Sequence, residues 1–187
     1  MKHVDVWYDV ALRQNSLALI LEDDPLFVPF FKEKLNRLIY TAIRTGALRV
    51  NGTCVAPSSN QPMAVDEWIN QEPMFVLGAC FNLHDNQSFR ADQWKATPVL
   101  STQKLRVSRC AHAYIITACT AQAMVSALNE QYTEIDTPDF LMNHIFPKSS
   151  LLQSFWIDPP LVYQGNRVDH DIDQLQTFKE TKYNLPL

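Results

Sequence analysis

The segment Leu17–Pro25 constrains the fold of this chain more than any other feature. A short apolar run, Leu17–Leu21, ends in three adjacent carboxylates, Glu22, Asp23 and Asp24. The run has the length of a buried strand. Like charges at the end of such a strand repel one another and resist desolvation unless a cation meets them. Hard divalent cations bind carboxylate oxygens, and ligands of open α/β sheets bind beyond the carboxyl ends of the strands. The segment therefore predicts a metal-assisted site.

A purely structural explanation of the same residues stays open. Asp24 is a good helix N-cap and Pro25 a good first helical residue. The apolar spacing that follows predicts a helix from Pro25 to about Thr45, ending near Gly46. Under this explanation Asp24 is only a cap, while Glu22 and Asp23 are a solvated strand end.

Composition and charge exclude several classes of protein. The chain has 187 residues, which is enough for one domain with a sizeable core. Its net charge of −4 gives no basic field that would attract nucleic acid. No apolar run reaches the ~20 residues that span a bilayer, and the N-terminus does not resemble a signal peptide. We expect no transmembrane segment and a cytoplasmic protein, or one in the lumen of the secretory pathway if a missing N-terminal part carries a signal.

The cysteines do not form a recognisable motif. Cys54, Cys80, Cys110 and Cys119 include no CxxC pair, which argues against a zinc ribbon or a thioredoxin-type site. Four cysteines are few for a disulfide scaffold of this length. The expectation is that they are free, buried thiols.

The order of predicted elements favours an α/β fold. An amphipathic helix over 2–14 precedes the first strand, and apolar runs predict further strands at 73–80 and 109–117. A helix follows the latter strand, Thr137–Pro138 starts another by the same cap-plus-proline logic, and 156–164 is extended. A short strand is also predicted at 47–50. We expect one domain over residues 1–168 and a polar tail over 169–187.

Read in order, several segments resemble glycosyltransferase family 25, which includes bacterial lipooligosaccharide (lipopolysaccharide) galactosyltransferases and animal procollagen galactosyltransferases. Leu19–Asp24 is similar to the family's "lilEDD" signature, and His3–Trp7 to the "SH…W" helix before it. The remaining similarities are Phe75–Gly78 to "yLG", Ala113–Thr117 with Ala121 to "aYlIs…gA", Pro138–Leu141 to "pvD..L", Pro159–Gln164 to "ppl..Q", and His170–Ile172 to "SDI".

The resemblance implies a GT-A-like, Rossmann-like fold, with a mixed, mostly parallel sheet flanked by helices. It also implies a UDP-sugar donor, usually UDP-galactose or UDP-glucose, and a divalent cation, usually Mn²⁺. The acidic segment would then hold the cation and the donor, with Glu22 and Asp24 as metal ligands and Glu22 and Asp23 as donor-binding residues. His170 or Asp171 would complete the metal shell, although a surface histidine in a mobile tail is the simpler explanation of His170.

Asp139 is the candidate catalytic base or acceptor-orienting carboxylate. A base at this position would take the proton from the acceptor hydroxyl as it attacks the donor. An Asp in the first turn of a helix also simply complements the helix dipole, and Asp136 is a nearby alternative base. His112 is expected inside or at the edge of a strand, while His84 and His144 have no motif support.

The chain departs from the family at its start. Family members have a strand, a helix and further strands before the "SH…W" helix, whereas this chain opens at that helix. The resemblance therefore implies an N-terminally truncated copy, a short form, or a first part encoded elsewhere. Loss of those strands would expose a sheet edge that favours pairing with a second copy. We accordingly expect a possible homodimer and weak donor affinity.

Three functions remain open on the sequence alone. The first is a metal-dependent glycosyltransferase (a hexosyltransferase) acting on a glycan or glycoprotein acceptor. The second is a catalytically impaired relic or binding module of the same fold. The third is a metal-dependent hydrolase of phosphate esters, which would also need clustered acids but lacks a His-rich ligand set.

Overall fold

The computed structural model describes residues 2–13, 17–49, 53–54, 71–78, 99–101, 111–131, 137–158 and 160–165. Within these residues the chain forms both helices and strands. In order they are α1 (Lys2–Arg13), β1 (Ala18–Leu21), β2 (Pro25–Phe27), α2 (Phe31–Thr45), β3 (Glu72–Val76), β4 (Val99–Ser101), β5 (Ala113–Ile116), α3 (Ala118–Gln131), α4 (Pro138–Lys148), β6 (Leu152–Asp158) and β7 (Val162–Gln164).

A five-stranded mixed sheet with the order β1-β5-β3-β6-β4 forms the centre of the fold. Strands β3 and β6 pair in parallel, whereas β5 is antiparallel to both of its neighbours and β4 is antiparallel to β6. The expected mixed α/β fold is confirmed. The expectation of a mostly parallel sheet is wrong for the described strands, because β5 runs against the strands on either side of it.

The direction of the strands places several carboxyl ends at one edge of the sheet. Since β1 and β3 are both antiparallel to β5, they run in the same direction, and β6 runs parallel to β3. Helix α4 leads back to the start of β6, so its N-terminus lies towards the end where β6 finishes. The residues after β1 and the first turn of α4 therefore approach the same side of the fold.

Helices cover both faces of this sheet. Alternate residues of the buried strands point to opposite sides, as the two-residue period of a strand requires. On β5, Tyr114 and Ile116 pack into a core with α1, α3 and α4, while Ala113 and Ile115 pack into a second core with α2. The result is a three-layer arrangement, and no helix of the described residues is long and apolar enough to cross a membrane.

Helix α2 begins later than the sequence predicts. Asp24 and Pro25 do not start it; Pro25 instead opens β2, which pairs antiparallel with β7 in a separate two-stranded sheet. The helix starts at Phe31, after Phe30 in the left-handed conformation with φ 58°. The predicted helix start at Pro25 is wrong, and so is the alternative in which Asp24 only caps that helix, because Pro25–Phe27 pair with β7 instead.

Other boundaries follow the sequence more closely. Helix α1 covers the predicted amphipathic segment, and α4 begins at Pro138 after Thr137, as the cap-plus-proline pattern predicts. At the start of α3, the Thr117 hydroxyl oxygen accepts a hydrogen bond from the Thr120 backbone N–H at 3.0 Å, which is the usual N-cap contact. The predicted strand at 47–50 is not formed over its described residues, 47–49. The extended segment 156–164 contains the end of β6 and all of β7.

Two of the cysteines are joined. Cys54 and Cys119 form a disulfide that spans 65 residues of sequence and ties residue 54 to the first turn of α3. The expectation of free, buried thiols is wrong for this pair, because the fold brings together two residues that no local spacing relates. Cys80 and Cys110 lie outside the described residues, as do the predicted tail and part of the predicted domain.

Candidate acidic site

The acidic segment forms the loop between β1 and β2, and backbone contacts hold it at both ends. The Glu22 N–H donates to the His112 carbonyl at 3.0 Å, and the Gly165 N–H donates to the Asp24 carbonyl at 2.7 Å. A Cβ at position 165 would lie 2.8 Å from that same Asp24 carbonyl oxygen. A glycine at 165 therefore allows the chain after β7 to close on the acidic loop.

Glu22 lies at the centre of a group of carboxylates. Its side chain is 29% exposed, and burial raises the pKa of its carboxyl. The negative charges of Asp24, Asp23 and Asp139 raise this pKa further, in that order of size. Three acids from two distant parts of the sequence therefore lie within electrostatic range of the Glu22 carboxyl group. The structure brings two of the predicted metal ligands, Glu22 and Asp24, into the same region as the predicted base, Asp139.

Asp139 reaches this region from the second residue of α4. It is partly buried, and its Oδ1 atom accepts a hydrogen bond from the Thr137 hydroxyl. Its charge raises the pKa of Glu22 and also acts on His3. The position of Asp139 in the first turn of α4 complements the helix dipole. That role does not explain why the charge of Asp139 also acts on Glu22.

Sequence reasoning missed a side chain at the edge of this group, His3. Its Nε2 atom lies 3.5 Å from Glu22 Oε1, and its Nδ1 atom lies 2.9 Å from the hydroxyl of Tyr114. The Trp7 indole N–H donates to the same hydroxyl at 2.8 Å. On the other side, the Gln164 amide donates to Glu22 Oε2 at 3.4 Å. The sequence signals for His3 are its place in the segment that resembles the "SH…W" helix and its position one helical turn from Trp7 on α1.

The charge state of His3 affects what the acids can bind. Burial lowers the pKa of His3, and the opposing effect of Asp139 is smaller. The imidazole is therefore mostly neutral near pH 7 and does not supply a full positive charge to Glu22. The region keeps a net negative potential that suits a cation.

The residues present fit a divalent cation by their chemistry. Partly buried carboxylate oxygens in one another's field are the donors that Mn²⁺, Mg²⁺ and Ca²⁺ prefer. In the described residues, no three His, Cys, Asp or Glu side chains are already grouped as a metal site. Glu22 and Asp24 are the two carboxylates that would hold the ion.

The other candidate residues are separated from this group or outside the described ranges. His170, Asp171, Asp136 and His84 lie outside the described residues. His112 is buried next to β5, where its Nε2 lies 3.2 Å from the Val162 carbonyl oxygen, and His144 is exposed on α4. His112 thus has the structural place that the sequence suggested.

Comparison with known proteins assigns no family. No family model matches this sequence, and no curated protein is significantly similar to it. The case for a function therefore depends on the residues of this chain.

Proposed function

We propose that this protein is a metal-dependent glycosyltransferase that transfers galactose or glucose from a UDP-sugar to a glycan or glycoprotein acceptor. The observation that carries the proposal is the electrostatic grouping of Glu22, Asp23 and Asp24 with Asp139. Sequence resemblance alone suggested separate roles for these acids, one set binding the donor and the other activating the acceptor. Both roles require the two sets to face one reaction centre.

The roles that we propose for the three acids of the loop follow from their positions. Glu22 and Asp24 would hold the cation, and Asp23, which is exposed in the loop, would contact the donor with Glu22. When bound, a divalent cation neutralises the negative charge that develops on a diphosphate leaving group. The Gly165–Asp24 backbone contact keeps the acidic loop in place while its side chains adjust to the ligand.

Asp139 would act on the acceptor. The Thr137 hydroxyl donates to Oδ1 of its carboxylate. The other oxygen, Oδ2, would accept the proton of the attacking hydroxyl. This requires the acceptor hydroxyl to bind between Asp139 and the donor.

The experiment is a calorimetric titration of the full chain with UDP, with and without Mn²⁺. Binding is expected only with Mn²⁺, and it should be lost in Asp24→Asn and weakened in Asp23→Asn. Glu33→Gln is the matched control, because Glu33 is an exposed acid in the first turn of α2, and it should bind like the wild type. Absence of UDP binding by folded protein would reject the donor site and favour a binding module that lacks transferase activity.

A transfer assay then tests Asp139. With UDP-galactose or UDP-glucose and a panel of acceptors, Asp139→Asn should lose turnover by about 10²–10⁴-fold, which is the usual contribution of a general base. UDP affinity should be unchanged. Equal loss of UDP affinity and turnover would assign Asp139 to donor binding instead.

A further inference from the structure

We propose that His3 is a positioning residue that orients the Glu22 carboxylate, and that Tyr114 and Trp7 fix the tautomer in which it does so. The proposal rests on the proposed cation-binding role of Glu22 and adds the group that holds this ligand in place. Its basis is a continuous set of contacts from the core to the acidic loop: Trp7 to Tyr114, Tyr114 to His3, and His3 to Glu22.

The tautomer follows from the chemistry of the donors. The Trp7 indole has one N–H and can only donate, so Tyr114 Oη must accept from it. In the described part of the chain, the second partner of this buried hydroxyl is His3 Nδ1. The Tyr114 hydrogen is therefore directed to Nδ1, because a buried hydroxyl that does not donate loses a hydrogen bond. His3 must then carry its own hydrogen on Nε2.

In this tautomer the N–H group of His3 is on the ring atom nearest to Glu22. Nε2 is the atom that faces Glu22 Oε1, at 3.5 Å, and Gln164 donates to the other carboxylate oxygen at 3.4 Å. The Gln164 contact is a long hydrogen bond, whereas the His3 contact is an ion-pair distance. The two side chains flank the two carboxylate oxygens and so restrict the orientation of the carboxylate. The remaining lone pairs of Glu22 then point in set directions.

The supporting elements are rigid. Trp7 and Tyr114 are buried at 0% and 1% exposure, and Tyr114 lies on β5 between β1 and β3. Tyr114 is also the cross-strand partner of Ile20, two residues before Glu22. Helix α1 and the central sheet therefore fix His3 from the core side. Groups that hold a metal ligand in this way commonly change metal affinity about 10–100-fold when removed.

The test combines a readout of the tautomer with one of cation binding, both on the full chain. Nitrogen-15 NMR of the imidazole ring should show the Nε2–H tautomer of His3 in the wild type. Tyr114→Phe should produce a mixture of tautomers, because it removes the hydroxyl that donates to Nδ1. A wild-type ring with its hydrogen on Nδ1 would overturn the proposal, whatever the protein binds.

Binding of Mn²⁺ alone then measures the consequence. His3→Asn should weaken Mn²⁺ affinity about tenfold, because the shorter amide cannot reach Glu22. His3→Gln should retain more affinity, because its amide nitrogen can take the position of Nε2. Lys2→Gln, an exposed neighbour on α1, is the control and should not change affinity. Equal affinity of folded His3→Asn and wild type would overturn the positioning role.

A third measurement separates this proposal from the proposed function. In a crystal structure without metal, Glu22 should keep one conformer in the wild type and lose it in His3→Asn. If the wild type binds no Mn²⁺ but Glu22 moves in His3→Asn, the positioning role stands and the cation-binding function fails. If Glu22 does not move, the positioning role fails.

Discussion

The two faces of the central sheet are built from the same strands but differ in chemistry. On the α2 face, Ile115 packs with Phe75 and Phe155, whose rings stack with centroids 5.4 Å apart. On the opposite face, the preceding residue, Tyr114, carries a buried hydroxyl that contacts both Trp7 and His3. The first face is held by apolar packing, whereas the second connects the core to the acidic loop. Adjacent residues of one strand can therefore serve stability and function separately.

The largest expected effect on stability comes from a substitution in the apolar core on the α2 face, away from the acidic site. Phe155→Ala removes a ring that is 2% exposed, and it should lower the free energy of unfolding by about 3–5 kcal/mol. Urea unfolding followed by circular dichroism measures this loss. The Mn²⁺ affinity of the folded protein should not change, because Phe155 packs in the core on the α2 side of the sheet, opposite the core that contains Tyr114. A matching loss of Mn²⁺ affinity in folded protein would show that the two faces are not separate.

A smaller effect should follow from Tyr114→Phe on the polar face. Removing the hydroxyl leaves the buried Trp7 N–H without its acceptor, which should cost about 1–3 kcal/mol in unfolding free energy. In a double-mutant cycle with Trp7→Phe, the two substitutions should be coupled by at least ~0.5 kcal/mol. The reason is that either substitution alone already removes the hydrogen bond between Trp7 and Tyr114, so the second one has no bond left to break. Additive losses would mean that this hydrogen bond contributes little to the fold.

The smallest expected effect on stability concerns Glu22. A raised pKa means that the ionised carboxyl is less favourable in the folded than in the unfolded chain. Glu22→Gln should therefore raise the unfolding free energy at neutral pH, by less than about 1 kcal/mol at this partly exposed position. The gain should disappear as the pH falls through the pKa of Glu22, because the wild-type carboxyl is then protonated as well.

The measurement is urea unfolding of both proteins at neutral and at acidic pH, without divalent cations. Glu33→Gln is again the matched control and should show no such gain. A loss of stability in Glu22→Gln at neutral pH would mean that contacts of the ionised Glu22 outweigh the repulsion from its neighbours. With saturating Mn²⁺, the wild type should become more stable than Glu22→Gln, since the ion stabilises only the protein that binds it.

The sequence predicted those features that depend on local patterns. The Thr137–Pro138 start of α4, the amphipathic helix α1 and the buried strands β1, β3 and β5 all follow from caps and apolar runs. The acids at the end of β1 are likewise recognisable from the sequence, because they follow a short apolar run. These features depend on residues that are neighbours in the sequence.

The features that the sequence did not predict depend on pairings between distant residues. Pro25 joins β2 because β7, more than 130 residues later, offers a partner strand. The Cys54–Cys119 disulfide and the contact of Tyr114 with His3 likewise join segments far apart in the chain. Local spacing cannot decide between a capped helix and a strand whose partner is not yet known. His3 therefore had no predicted role until the fold placed it next to Glu22.

We propose that Glu22, Asp23, Asp24 and Asp139 form one cation-binding region on the polar side of the sheet. Paramagnetic broadening of backbone amide signals by substoichiometric Mn²⁺ is the decisive experiment. Signals around residues 3, 22–24, 137–139 and 164–165 should be lost selectively, with those of α2 unaffected beyond its first turn. Broadening confined to other acids, or equal broadening in Glu22→Gln, would contradict it.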